Sequence, residues 1–312
     1  MTATKKSVLF VGHGSRDAEG NQEVRNFVEF VSQNLDQELI IETCFLEFEA
    51  PGILTGIDTC VQRGAEHVAL IPLILLPAGH SKIHIPAALD EAKKKHPHIQ
   101  FTYGRPIGVH EQSTHILITR LEELGIKADE KQEDTAVLVV GRGSSDPDAN
   151  SDLFKMTRML WERMNVKWVE TAFIGVTDPL IAEGVERCVR LGAKRVVILP
   201  YFLFTGILIK RIEGLMEQFE DQYPEVEFKL GEYFGYHPKL QTMIQDRVNE
   251  ALYGEVRMNC DSCQYRLAAM EHMDHHHHHH DHDHGHHHHH HHDHDHDHDH
   301  HHDHKHDHEH VK

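Results

Sequence analysis

The feature that most constrains the fold of this chain is an internal duplication. The loop VGHGSRD at residues 11–17 returns as VGRGSSD at residues 140–146. Two later stretches return at almost the same separation. FLEFEAP (45–51) corresponds to FIGVTDP (173–179), and RGAEHVALIPLIL (63–75) corresponds to LGAKRVVILPYFL (191–203). The period is too long for a solenoid repeat, so the pattern predicts a duplicated domain.

Each copy alternates apolar runs of strand length with helical segments. The predicted strands of the first copy are 8–11, 39–46, 67–75 and 99–103, and its predicted helices are 18–35, 53–64, 84–95 and 111–124. The second copy repeats this order from 136–140 to a helix near 238–252. Continuous apolar strands that alternate with helices indicate a parallel sheet covered on both faces. We therefore predict an α/β fold of two tandem domains, 1–128 and 135–254, with a linker near 125–135.

The end of the chain has a different composition. A short segment, 255–274, contains Cys260 and Cys263, and from His275 almost every residue is His or Asp. The segment 275–312 has almost no apolar side chains to bury, so we predict a disordered tail whose imidazoles bind divalent metals. A purification tag is the alternative explanation, but the Asp interruptions disfavour it.

The overall charge and the cysteine content exclude several classes of protein. A net charge of −19 argues against a nucleic-acid-binding surface. Of the five cysteines, three are single and two form the C-x-x-C pair, and this sparse, odd-numbered set is not a disulfide framework. The apolar run near the N-terminus is too short for a signal peptide, and no run has the length of a membrane span. These features predict a cytoplasmic protein with neither nucleic acid nor membrane as its partner.

Three residues with metal-binding side chains follow the first three predicted strands. They are His13, Glu47 and His80. Ligands of such folds bind outside the carboxyl ends of the strands, so the fold brings these residues to one rim. Two imidazoles and a carboxylate suit cobalt, nickel, iron or zinc, and they can also act as proton acceptors.

The second copy provides an internal control for this triplet. His13 is replaced by Arg142, Glu47 by Gly175, and His80 by Ile207 or Leu208, depending on one gap. The scaffold residues persist while all three candidate ligands disappear together. This pattern indicates that the first copy holds the chemistry and that the second forms one wall of a cleft.

Polar and cationic residues near the same strand ends are candidates for binding an anionic substrate. We predict this role for Ser15, Arg16, Lys82, Arg142, Lys210 and Arg211.

The motifs GHGSRD, FLEFEAP and LLPAGHSKIHIP, duplicated in altered form, resemble the class II tetrapyrrole chelatases. The resemblance extends over the whole chain and is closest to the long cobalt-inserting forms. These combine two flavodoxin-like chelatase domains with an M-x-C-x-x-C motif, here Met258 to Cys263, and a histidine-rich end. It implies insertion of Co²⁺ into sirohydrochlorin without ATP, on the anaerobic route to cobalamin.

The same resemblance implies the roles of individual residues. His13 and His80 are the catalytic and metal-binding pair, and Glu47 joins them. Cys260 and Cys263 are implied ligands of a 4Fe-4S cluster, which would need further ligands or a second chain, and an unoccupied dithiol is the alternative. A homodimer is compatible with this reading. We hypothesise that the tail buffers cobalt for the active site.

Two other functions stay open at this stage. An iron chelatase for sirohaem would use the same fold and the same substrate, because His and Glu ligands accept either metal. A metal-storage protein or metallochaperone would explain the tail, but it would not explain the asymmetric triplet.

Overall fold

A computed structural model describes residues 4–254 of the chain. The elements of the first half are β1 (Lys6–Gly12), α1 (Ala18–Ser32), β2 (Ile40–Phe45), α2 (Ile53–Gln62), β3 (His67–Pro72), a π-helical turn (His80–His84), α3 (Ile85–Lys95), β4 (Gln100–Tyr103) and α4 (Glu111–Glu123). Those of the second half are β5 (Gln132–Gly141), α5 (Pro147–Trp161), β6 (Val166–Phe173), α6 (Ile181–Arg190), β7 (Arg195–Pro200), α7 (Ile207–Gln222), β8 (Glu227–Leu230) and α8 (Pro238–Tyr253).

The strands form two parallel sheets with the same topology. The strand order is β2-β1-β3-β4 in the first sheet and β6-β5-β7-β8 in the second. In each sheet the chain moves from the central strand to one side and then to the other, which creates a crevice at the carboxyl ends of the strands. The predicted α/β fold with two duplicated domains is confirmed.

Several elements begin or end at residues other than those predicted. The strand predicted over 67–75 ends at Pro72, which pairs with Val11 at the end of β1. Beyond that pair the neighbouring strand has turned into its loop, so little partner backbone continues the ladder. β5 begins at Gln132, inside the predicted linker, where it pairs with Val166 of β6.

Apolar side chains cover both faces of each sheet. Two outer clusters lie beneath α2 and α3 in the first half and beneath α6 and α7 in the second. A third and larger cluster contains residues of both halves, among them Phe27, Leu117, Met156 and Val248. The two halves therefore share one continuous core, and burial of this surface stabilises them as a unit.

The last helix of each half packs on the sheet of the other half. α8 contacts β3 and β4, and its Arg247 donates hydrogen bonds to the carbonyls of Pro106 and Ile107. α4 contacts β7, and its Arg120 donates to the carbonyls of Tyr233 and Phe234. Each copy of the repeat is one continuous stretch of sequence, but its last helix packs on the sheet of the other copy.

Among the helices of residues 4–254, none is long and apolar enough to cross a membrane.

Candidate metal centre

Two loops at equivalent positions of the repeat lie next to the candidate centre, one after β1 and one after β5. In the first, Asp17 accepts a hydrogen bond from the Glu19 amide and caps α1, while the Ser15 hydroxyl accepts from the Asp17 amide. In the second, Asp146 and Ser144 make the same two contacts at the start of α5. A side chain that accepts from these free amides fixes where the helix begins, so both loops have a defined shape.

The first loop lies directly against the loop after β2. Gly14 has a φ of +86°, and a Cβ atom built there would lie 1.7 Å from the carbonyl oxygen of Glu47. Only glycine combines that backbone conformation with so close an approach. The Glu47 amide also donates to the His13 carbonyl at 3.1 Å. These contacts hold His13 and Glu47 next to each other.

His80 begins the π-helical turn that follows β3, and it completes the cluster. The rings of His13 and His80 are 4.7 Å apart in an edge-to-face arrangement, and His13 Nε2 lies 3.6 Å from Glu47 Oε1. Ligand atoms of the three residues lie within 4.8 Å of one another. The structure therefore brings together the three residues that the duplication singled out, at the ends of β1, β2 and β3.

Both imidazoles are held in the neutral form. Burial lowers the pKa of His13, and the nearby charge of Arg142 lowers it further. Burial, together with the neighbouring rings of His13 and His84, lowers the pKa of His80 to about 4. A neutral imidazole has a lone pair that can bind a metal ion or a proton, so neither ring needs to lose a proton before it acts as a ligand near pH 7.

A pocket of about 490 Å³ opens beside the cluster. Glu47, His80 and His84 line it together with the apolar side chains of Leu46, Ile53, Leu54 and Ala88. A cation site at the edge of an apolar wall suits a ligand that has both an apolar body and metal-binding atoms.

The six predicted substrate-binding residues have varied environments. Ser15 shapes the first loop, Arg16 lies over the ring of Phe48, and Arg211 is exposed on α7. Lys82 contacts Asp146 at 2.7 Å, and Lys210 contacts Asp17 at 2.6 Å. Arg142 reaches across to His13, with its Nη1 2.9 Å from His13 Nε2. Their role toward a substrate stays a prediction.

Comparison with known proteins decides the family. The CbiX family matches residues 7–124 and again residues 136–251, which are the two copies of the repeat. The chain belongs to the CbiX family. It is 65% identical over 271 residues to the sirohydrochlorin cobaltochelatase of Priestia megaterium, covering 87% of this chain and 88% of that protein.

Two further relatives of this CbiX protein are informative. The sirohydrochlorin ferrochelatase of Bacillus subtilis is 34% identical over 266 residues, covering 85% of this chain and 99% of that one. The crystal structure of the sirohydrochlorin chelatase SirB from Bacillus subtilis subspecies spizizenii in complex with cobalt is 32% identical, with a TM-score of 0.67 over 79% of this chain and 95% of that chain.

Two features of the CbiX centre were missed from the sequence. His84 lies with its Nδ1 2.9 Å from Nδ1 of His80, a contact that the pattern H-x-x-x-H predicts only if the segment is helical. The carboxylates that hold Lys82 and Lys210 were also missed, although Asp17 and Asp146 occupy equivalent positions of the two copies. The motif residues Cys260 and Cys263 and the tail 275–312 lie outside the described residues.

Proposed function

We propose that this protein is a chelatase that inserts Co²⁺ into sirohydrochlorin without ATP. The observation that carries the proposal is the convergence of His13, Glu47 and His80 at one rim, with ligand atoms within 4.8 Å of one another. The identity of 65% to a protein named sirohydrochlorin cobaltochelatase supports both the macrocycle and the metal.

The residues of the centre have chemistry that suits metal insertion. Two pyrrole N–H protons leave the macrocycle for each Co²⁺ ion that enters it. When His13 and His80 release the metal, each regains a lone pair that can accept one of these protons. Because the pKa values of both imidazoles are lowered, they pass the protons on to water near neutral pH. Glu47 lies close enough to offset the positive charge that develops on His13.

The proposal is tested by metallation of sirohydrochlorin under anaerobic conditions without ATP, followed by the visible spectrum of the macrocycle. We expect His13→Ala and His80→Ala each to lower the rate by roughly 100-fold or more, because each removes a ligand and a proton acceptor. His98→Ala is the matched control, since it removes an exposed imidazole beyond the far end of α3. Wild-type rates in both the His13 and His80 variants would contradict the assignment of these residues to metal insertion.

Iron is the second candidate metal, because one close relative is named a sirohydrochlorin ferrochelatase. Imidazole and carboxylate ligands do not by themselves separate Fe²⁺ from Co²⁺. The same assay with Co²⁺, Fe²⁺ and Ni²⁺ in competition decides between them, and preferential formation of the iron product would replace the cobalt assignment.

The C-terminal features extend the proposal. Cys260 and Cys263 are proposed ligands of a 4Fe-4S cluster, and an anaerobic preparation without iron, sulfide or cluster absorption would contradict it. The histidine-rich tail is proposed to supply cobalt, so deletion of residues 275–312 should slow metallation only at limiting Co²⁺. A cytoplasmic location and a homodimer stay predictions, which fractionation of cells and light scattering can check.

A further inference from the structure

Arg142 and His13 occupy equivalent positions of the two repeated loops, and the fold brings them into contact. Each follows the glycine that ends the central strand of its sheet. Arg142 Nη1 lies 2.9 Å from His13 Nε2, so a residue of the second half contacts the centre of the first.

The hydrogen bonds of His13 determine which ring nitrogen has the lone pair. Nδ1 lies 3.0 Å from the carbonyl oxygen of Gly14, and a carbonyl can only accept. Nδ1 therefore has the proton, and Nε2 has the lone pair. A guanidinium can only donate, so Arg142 donates to that lone pair.

The same lone pair is the one that a metal ion at this centre requires. Nε2 is the His13 nitrogen that lies 3.6 Å from Glu47 Oε1. Metal–nitrogen distances in proteins are about 2.0–2.1 Å, so an ion on Nε2 would occupy the position of the donated hydrogen. Arg142 and a bound metal ion cannot both use His13 Nε2.

Arg142 has little else to hold it in this position. Its side chain is exposed, and within residues 4–254 it forms no ion pair with a carboxylate and no second hydrogen bond. Lys82 and Lys210 differ in this respect, because they contact Asp146 and Asp17. The remaining guanidinium donors are available for a bidentate contact with a carboxylate of a ligand.

We propose that Arg142 is a placeholder cation, which occupies the His13 lone pair until the tetrapyrrole draws it away. This inference rests on the proposed function. A carboxylate of the macrocycle accepts the guanidinium, His13 Nε2 becomes free, and the metal ion binds there next to its acceptor. Each substrate thus favours binding of the other, because both require Arg142 to leave His13.

Binding of metal-free sirohydrochlorin to the full-length protein, in the presence of a chelator, tests the first half of this exchange. Arg142→Ala should raise the Kd of the macrocycle roughly tenfold, since it removes a charge-assisted hydrogen bond. His13→Ala should lower the Kd several-fold, because Arg142 no longer has a partner to leave. The double variant should match Arg142→Ala. A His13→Ala variant that binds the macrocycle as weakly as wild type, or more weakly, overturns the proposal.

Cobalt occupancy at the centre tests the second half. Crystals of the full-length protein, equilibrated with Co²⁺ at a buffered free concentration, report this one site by anomalous scattering. At a concentration that half-fills the site in wild type, Arg142→Ala should show clearly higher occupancy. Arg190→Ala is the control for the lost positive charge, because Arg190 ends α6 just before β7 begins and so lies toward the amino ends of the strands, away from the centre.

The outcomes separate this inference from the proposed function. Cobalt at the centre with equal occupancy in wild type and Arg142→Ala overturns the placeholder role and leaves the metal site intact. Absence of cobalt from the centre in every variant overturns both.

Discussion

His80 has a neighbour that sequence analysis did not identify. His84 lies one helical turn later, with its Nδ1 2.9 Å from that of His80. Metal-binding histidines usually donate their second ring N–H to a neighbour, which orients the ring and selects the nitrogen that binds the metal. His84 is placed to accept from His80 in this way, as the Gly14 carbonyl does from His13.

Replacement of His84 by alanine should therefore weaken the metal centre without removing a predicted ligand. We expect the KM for free Co²⁺, fixed by a metal buffer, to rise about tenfold, in line with the loss of other such partners. The rate at saturating Co²⁺ should change little. His98→Ala serves again as the control, and an unchanged KM in the His84 variant would show that the contact has no role in metal binding.

The candidate ligands could be identified from the sequence because the two copies of the repeat can be compared residue by residue. His13, Glu47 and His80 are replaced together in the second copy while the glycines and prolines around them persist. His84 is also replaced in the second copy, by Arg211 or Ile212 at the offsets used for His80, but this replacement by itself does not place it beside His80. Its relation to His80 depends on the π-helical turn over His80–His84, whereas the predicted helix began only at residue 84.

At the scale of the secondary-structure elements, two histidines cap the N-termini of helices. His110 is the capping residue just before α4 and His237 the one just before α8, and in each the ring Nδ1 accepts a hydrogen bond from the amide two residues later. Burial and nearby arginines lower the pKa of both imidazoles. A protonated ring has no lone pair at Nδ1, so protonation removes the cap.

These caps predict a loss of stability in acid. The folded pKa values lie below the unfolded value of about 6.5, so the unfolded state takes up protons first as the pH falls. The stabilisation is complete above about pH 6.5 and is lost progressively below it. We expect the free energy of unfolding to fall between pH 7 and 5, by about 1 kcal/mol or less for each cap.

Asparagine at both positions separates the caps from other titrating groups. His110→Asn with His237→Asn keeps an acceptor that does not titrate in this range, so its urea midpoint should depend less on pH than that of wild type. His98→Asn should leave the pH dependence unchanged. If the urea midpoint of the double asparagine variant depends on pH as strongly as that of wild type, the histidine caps are not the cause of the acid sensitivity.

Element types could be predicted well, because apolar periodicity and length separate buried strands from amphipathic helices. Element ends were less predictable. The apolar run 67–75 continues past Pro72 because Leu73 and Leu75 are also buried, yet they lie beyond the end of β3. Burial alone therefore does not distinguish a strand residue from a buried loop residue.

At the scale of the whole molecule, several ion pairs join the two halves, and the pseudo-symmetry of the repeat relates two of them. Lys82 of the first half contacts Asp146 at the start of α5, and Lys210 of the second contacts Asp17 at the start of α1. Their burial differs. The Lys82 and Asp146 side chains are 15% and 3% exposed, whereas those of Lys210 and Asp17 are 48% and 13% exposed.

This difference predicts unequal effects of two equivalent substitutions. Lys82→Met leaves the Asp146 carboxylate buried without its cation, so we expect unfolding to become easier by about 2 kcal/mol. Lys210→Met breaks a solvent-exposed pair and should change stability little. Urea unfolding measures both, and equal destabilisation would show that burial does not distinguish the pairs.

Because the last helix of each half packs on the sheet of the other, the two halves are not independent domains joined by a linker. α8 covers part of the first sheet and α4 contacts the second, so each half completes the core of the other. Periodicity in a sequence shows that a helix has an apolar face, but it does not show which sheet that face covers.

The sequence by itself determined the duplicated α/β architecture, the loops at the strand ends and the three residues that differ as a set between the copies. These follow from local patterns and from the repeat. Only the tertiary structure decided that Arg142 contacts His13, that Lys82 and Lys210 hold carboxylates of the opposite half, and that α4 and α8 are exchanged. The physical reason is that these contacts depend on how the two copies pack against each other. That arrangement follows from the sum of many weak apolar contacts in the shared core and not from any single motif.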